Sequence, residues 1–295
     1  MLNFLDNMPA FFAADALNRQ HNRARGLKNW WLGQQATSGG ASWYDLAGVS
    51  TMALTGMTGA AVSGWRGSAR PGGQVHVLFD GVASKGDATS PTFATGYGTT
   101  LLGWVLTSGA AQKGAFFSLN GGGGAGGMTV GIGTVDIDTA GTNMCLLWDE
   151  FRHIPTSFVI TAGWHRIGMV TTFAGMPIVY CDGQLVYSDV SGASRNTGSG
   201  RISVGYDSES GTRPFGGSID DVMLYNRELT ALDFWADYEG SIAGNPGLLN
   251  RVPTRMLASA SAPVVGAGVL QPVLSMSAGG VNTRIVNTVF PTGGG

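Results

Sequence analysis

The stretch Phe215-Gly-Gly-Ser-Ile-Asp-Asp-Val-Met-Leu-Tyr-Asn-Arg-Glu-Leu-Thr-Ala-Leu-Asp-Phe234 decides the fold. Its glycines mark a turn, Ser218 to Tyr225 read as a strand, Asn226-Arg227-Glu228 as a second turn, and the rest as the start of a short helix. Thr230 and Asp233 stand three apart, where a hydroxyl and a carboxylate satisfy the first helical N–H groups as a capping box. A strand followed by a turn and a capped helix closes a β-rich domain.

Upstream, Pro177-Ile-Val-Tyr-Cys-Asp-Gly-Gln-Leu-Val-Tyr-Ser188 is the clearest local pattern. Two alternating strands flank Asp182-Gly183, whose tolerance of positive φ suits a type I′ hairpin turn. Further strands are expected at Trp30–Leu32, Met52–Leu54, Gln74–Phe79, Thr99–Thr107, Ala115–Leu119, Gly163–Val170 and Arg201–Tyr206. Many short strands and little helix predict an all-β, two-sheet antiparallel sandwich. The glycine run from Gly121 to Gly127 formally satisfies G-x-G-x-x-G, but no strand–helix unit surrounds it, so the match is chance.

Composition narrows the partners. Only 12% of residues are charged and 48 are glycine, so the surface is built from Ser, Thr, Asn, Gly and backbone. A net charge of −2 without a basic block leaves no nucleic-acid footprint. No run of about 18 apolar residues exists, so no membrane-spanning helix is expected. Residues Met1 to Leu17 are apolar but carry Asp6 and Asp15, with no Lys or Arg before Arg19. That is the wrong charge order for a secretory signal peptide, and synthesis in a cytoplasm without export is expected. Cys145 and Cys181 lack metal-ligand spacing and read as two small buried thiols.

Several segments, in order, carry a resemblance. They are Gly26-Leu27 with Trp30-Trp31, the run Tyr44-Asp45-Leu46-Ala47-Gly48 ending in Leu54-Thr55-Gly56, and Leu78-Phe79-Asp80-Gly81. Gly163-Trp164-His165, Val179-Tyr180-Cys181-Asp182-Gly183 and Gly217 to Arg227 follow. Together they resemble the laminin-G-like, concanavalin A-like lectin/glucanase jelly rolls over about residues 25–240. Residues 1–24 then form an N-terminal arm and 241–295 an extended tail, rich in proline and without an acidic residue. A helix is expected over 7–25, from a cap at Asn7 and Pro9 in the first turn to Gly26 after Arg19, Arg23 and Arg25. Its apolar side, Phe11, Phe12, Ala16 and Leu17, serves either its own domain or a neighbour.

The resemblance implies functions ranging over lectins, glycosidases, adhesion modules and virion proteins. Its glycan-cleaving members often carry E-x-D-x-x-E on one strand; the four glutamates here, Glu150, Glu209, Glu228 and Glu239, never take that spacing. Asp149-Glu150 would point to opposite strand faces, Asp136 and Asp138 lack a third acid, and no G-x-S-x-G or zinc-type histidine pattern occurs. No enzyme and no catalytic residue is expected. The resemblance also implies a possible Ca²⁺ held by Asp45 and Asp220, against which Asp45 ties down a turn and Asp220 pairs with a backbone N–H or an arginine. Of the eight tryptophans, several fall within apparent strands and read as core, and Trp65, in a loop, and Trp148, beside Asp149, are the candidate sugar platforms.

The leading expectation is a bacteriophage virion surface component, in capsid decoration or tail, made in the host cytoplasm. It would be anchored to copies of itself or to other virion proteins through residues 1–24 and 241–295. A carbohydrate-binding adhesion module is the alternative, and a glycoside hydrolase is disfavoured. Limited proteolysis of the isolated chain tests the anchoring. Cleavage within residues 1–24 and 241–295 is expected, and protease-resistant ends in a proven monomer would refute it.

Overall fold

A computed structural model describes residues 18–33, 41–47, 50–58, 62–67, 70, 75–89, 98–119, 127–148, 152–172, 176–189, 201–207 and 213–243. The chain divides into units 1–251 and 252–295, and every described residue belongs to the first. Residues 244–295 of the expected tail and 7–17 of the expected N-terminal helix lie outside the described residues.

Among the described residues, sixteen strands form two eight-stranded antiparallel sheets. The first runs β14 (Gln184–Ser188), β13 (Pro177–Cys181), β12 (Gly163–Thr171), β7 (Thr99–Thr107), β16 (Gly216–Tyr225), β5 (Val75–Asp80), β4 (Gly64–Gly67), with β1 (Leu27–Trp31) also paired to β16. The second runs β11 (Arg152–Val159), β10 (Asn143–Trp148), β9 (Met128–Gly133), β8 (Gly114–Leu119), β15 (Arg201–Val204), β6 (Lys85–Thr89), β3 (Met52–Thr55), β2 (Ser42–Trp43). Alternation sets which side chains enter the core: in β3, Met52 and Leu54 are buried while Ala53 and Thr55 are exposed. Between the sheets, Val77, Phe79, Val105, Ile167 and Ile219 from the first meet Phe117, Val130, Leu146 and Ile202 from the second.

The outer face of the first sheet is apolar too. Leu102, Val170, Tyr180, Met223 and Tyr225 form a second cluster, capped by Phe234 of the helix α1 (Ala231–Ile242). Thr230 and Asp233 make the foreseen capping box. The Phe234 ring stacks on Tyr180, with centroids 4.2 Å apart, directly over Gly168 of β12. The Asp182-Gly183 turn has both φ angles positive, 51° and 78°, as a type I′ hairpin requires.

Strand β16 changes partners along its length. Gly216–Ile219 pair with β5, whereas Val222–Tyr225 pair with β1. Where one partner ends and the other begins, β16 bulges: Asp220 lies opposite Trp104 of β7 and Met223 opposite Leu102, leaving two residues against one. Asp221 adopts φ 53°, a left-handed conformation that Asp tolerates better than most residues. At the same junction the end of β1 meets the start of β5, and a side chain at Gly33 would lie 2.0 Å from the Val75 carbonyl oxygen.

Three expectations are corrected here. The helical arm is not supported: residues 18–26 hold a single 3₁₀ turn, Asn22–Ala24, and the chain is extended by Leu27. Tertiary contacts win over local propensity, because Arg19 donates to the Ala47 carbonyl, Arg23 pairs with Asp237, and Gly26 takes φ 77°. Trp65 is not in a loop but in β4, half-buried, its ring edge-on to Trp43 at 5.7 Å. Trp148 is fully buried in the inter-sheet core and has no face to offer a sugar.

The close seat of Phe234 gives a direct test. A Cβ at position 168 would meet the ring at 2.0 Å. Gly168→Ala is therefore expected to destabilise the fold by about 1–3 kcal/mol through overpacking. Urea unfolding checks this, and an unchanged midpoint would refute the packing.

Candidate functional site

The β16 bulge places charge where the sheet is dry. Asp220, Asp221 and Asp237 are essentially fully buried, and they face the guanidinium groups of Arg70, Arg166 and Arg23. Arg166, on β12, donates from Nε to Asp237 Oδ2 at 2.7 Å and from Nη1 to the Asp221 carbonyl at 2.7 Å. Arg23 closes on the other oxygen of Asp237. Arg70 Nε donates to Asp220 Oδ2 at 2.8 Å, and the Gly33 N–H to Oδ1 at 3.0 Å. The Trp30 indole N–H donates to Asp221 Oδ1 at 2.6 Å. Arg70 and Arg166 both lie over the Trp104 ring, 5.5 and 6.0 Å from its centroid.

The carboxyls respond differently. Burial pushes Asp220 up to about 6, with Asp221 adding to the rise and Arg70 opposing it. Burial also works against the Asp237 carboxylate, but Arg166 and Arg23 outweigh it and hold its carboxyl below the usual range. One carboxylate has two cations, and the other has one cation and a like-charged neighbour.

Asp45 and Asp220 do not share a site. Asp45 Oδ1 accepts from the Trp30 and Ala47 N–H groups, both at 2.8 Å. Its Oδ2 accepts from Asn29 Nδ2 at 2.7 Å and the Ser50 N–H at 2.9 Å. A Ca²⁺ at Asp45 would have to displace four donors, and one at Asp220 a guanidinium, so these residues as placed do not fit that ion. They hold the loop after β1 and the bulge instead.

What the buried cluster holds in place is α1, and α1 carries the exposed aromatic surface. Trp235 is 48% exposed and sits on the turn of the β13–β14 hairpin: a side chain at Gly183 would lie 2.9 Å from the indole and 3.2 Å from the Trp235 Cα. Tyr238, one turn on, lies 6.1 Å from Trp235 and 5.9 Å from Trp104, ring to ring. Leu232 and Leu185 stand exposed nearby, on α1 and on β14 just past the turn. Two carboxylates stand close in the chain: Asp182 precedes Gly183 in the turn, and Glu239 follows Trp235 four residues along the helix. An open indole face beside tyrosine and carboxylates suits a sugar ring, whose C–H face stacks on the π-system while its hydroxyls donate to oxygen.

Sequence reasoning counted Trp235 among the eight tryptophans but did not single it out as a surface candidate. The signal that would have found it is its position in the capped helix. Phe234 turns inward, so its neighbour in an amphipathic helix turns outward.

Asp237 is the keystone to test. Asp237→Asn removes one buried charge and leaves Arg166 and Arg23 undercompensated, an expected cost of about 3–5 kcal/mol at neutral pH. Because the folded-state value of Asp237 is depressed, its stabilisation is complete above about pH 4 and is lost as the pH falls below 3.8. Denaturant unfolding should show wild type and variant converging in acid, and a pH-independent gap would refute the assignment.

Comparison with known proteins places the chain. No characterised protein matches it by sequence. Among solved structures, the binding domain of botulinum neurotoxin DC in complex with SialylT superposes with a TM-score of 0.52 at 12% identity, covering 73% of this chain and 52% of that one. The same domain with rat synaptotagmin II gives 0.51 at 12%, covering 74% and 52%. Trypanosoma rangeli sialidase with 2,3-difluorosialic acid gives 0.50 at 16%, covering 73% and 33%. These identities show a likeness of fold, and the chain spans about half of the toxin domains and a third of the sialidase. Residues 75–233, more than half of the chain, match a laminin G-type family model, and the chain belongs to the concanavalin A-like lectin/glucanases superfamily.

Proposed function

We propose that this chain is a non-enzymatic adhesion module that binds glycans through Trp235 and Tyr238. The observation that carries the reading is the half-exposed Trp235 indole, fixed over the Gly183 turn. Two of the similar folds were solved with sialic-acid-type ligands, which makes sialylated glycans the first class to try. A binding rather than a catalytic role is supported by the commitment of the buried carboxylates Asp220, Asp221 and Asp237 to guanidinium groups.

The setting we propose is the surface of a bacteriophage virion, with residues 1–24 and 241–295 as anchors. That part rests on the sequence: sparse charge, abundant glycine, and proline-punctuated apolar segments in the tail.

A glycan array probed with the full chain is expected to show saturable binding. Trp235→Ala should weaken it at least tenfold, about 1.4 kcal/mol, while Trp65→Ala leaves it unchanged. A flat array, or binding indifferent to Trp235→Ala, would remove the reading.

A further inference from the structure

Beneath the Gly183 turn lies a second cluster, which the sequence spacing hid. His165 on β12, and Cys181 and Asp182 at the end of β13, bring a ring nitrogen, a thiol sulfur and a carboxylate oxygen within 4.8 Å of one another. These elements are rigid: Ile167 pairs with Cys181 across the β12–β13 ladder, and Asp182 is set by the hairpin turn.

The hydrogen bonds orient each group inward. His165 Nε2 lies 3.1 Å from the Thr161 carbonyl oxygen and 3.3 Å from the Thr161 hydroxyl. The nearer partner only accepts, so Nε2 donates to it, and Nδ1 donates to Asp182 Oδ2, 2.8 Å away, as a protonated imidazole paired with a carboxylate does. Asp182 Oδ1 accepts from the Arg166 N–H at 2.7 Å, so Oδ2 is the oxygen that faces His165. A proton bridges the two atoms in the free protein, with a thiol beside them, and a metal cation would take that proton's place. A backbone carbonyl fixing the outer nitrogen of a histidine is also the usual second-shell support of a metal ligand.

We propose that His165 Nδ1, Cys181 Sγ and Asp182 Oδ2 bind a zinc ion, with water as the fourth ligand. A nitrogen–sulfur–oxygen set suits Zn²⁺ in tetrahedral geometry and is too soft for Ca²⁺ or Mg²⁺. Both hard ligands at about 2.0–2.2 Å would stand roughly 3.3–3.5 Å apart, so binding widens the His165–Asp182 contact by about half an ångström. Asp182, 31% exposed, opens the site to solvent. Burial, helped by Asp182, pushes the Cys181 thiol well up, so the free protein holds a thiol. Zinc forms the Zn–S bond as the S–H bond breaks and takes the place of the His165 Nδ1 proton, and both protons pass to the buffer without any change of oxidation state.

The untagged full chain, stripped with EDTA and re-equilibrated with Zn²⁺, should retain one zinc per chain after gel filtration. Co²⁺ in its place should give a thiolate-to-cobalt charge-transfer band. Cys181→Ala and His165→Gln should each weaken zinc binding at least tenfold, with Cys145→Ala as the unaffected control. No retained zinc, a cobalt spectrum without the thiolate band, or full binding in both ligand variants overturns the site. The cobalt spectrum of the unaltered chain decides the matter should those variants fail to fold.

Discussion

The rest of the structure depends on one guanidinium. Arg166 leaves β12 on the outer face of the first sheet and bonds at once to the β16 bulge and to the helix that covers it. Apolar burial of Phe234, Tyr180 and Met223 supplies the bulk of the attraction between helix and sheet, but such burial is non-directional. A buried ion pair adds little net stability and much positional definition, because every misplaced alternative leaves a charge unpaired in a dry interior. Arg166 thereby fixes where α1 sits, and with it which aromatic side chains of the helix face water.

The tryptophans show how environment divides one residue type among several tasks. Trp30 is buried and works as an N–H donor, holding the carboxylate of Asp221. Trp104 works through its ring, with two guanidinium groups lying over it. Trp235 keeps its indole in solvent, stacked on a glycine that has no side chain to lift it away. None of these roles follows from composition; each follows from the neighbour that the fold brings.

Much of the architecture was legible because its marks are local. The Asp182-Gly183 turn and the Thr230–Asp233 cap are set by residues a few positions apart, and both are present as read. Strands such as β6, with its sequence Lys-Gly-Asp-Ala-Thr, were not, since little in those residues favours a strand and pairing with β3 and β15 makes it one. The sites fall on the same line. Asp45 binds near neighbours, the Ala47 and Ser50 N–H groups, as a turn-tying carboxylate does, whereas the partner of Asp220, Arg70, lies 150 residues away, beyond any local pattern. Trp148 looked exposed from the acid beside it, yet the strand turns it into the core. His165 and the Cys181-Asp182 pair meet across a ladder that no motif spacing encodes.

The exchange of partners along β16 also dictates when the domain can finish. The seam between β1 and β16 joins residues some 190 positions apart, and Arg23 finds Asp237 across 214. During synthesis β1 must wait, its tryptophans uncovered, until nearly the whole domain has left the ribosome. Closures of such high contact order come late and slowly. The seam is then absent from the folding nucleus, and contacts made there govern how long the native state lasts more than how fast it forms. Loss of either flank, before residue 27 or after 230, would loosen the same seam, so the two ends of the domain fail together.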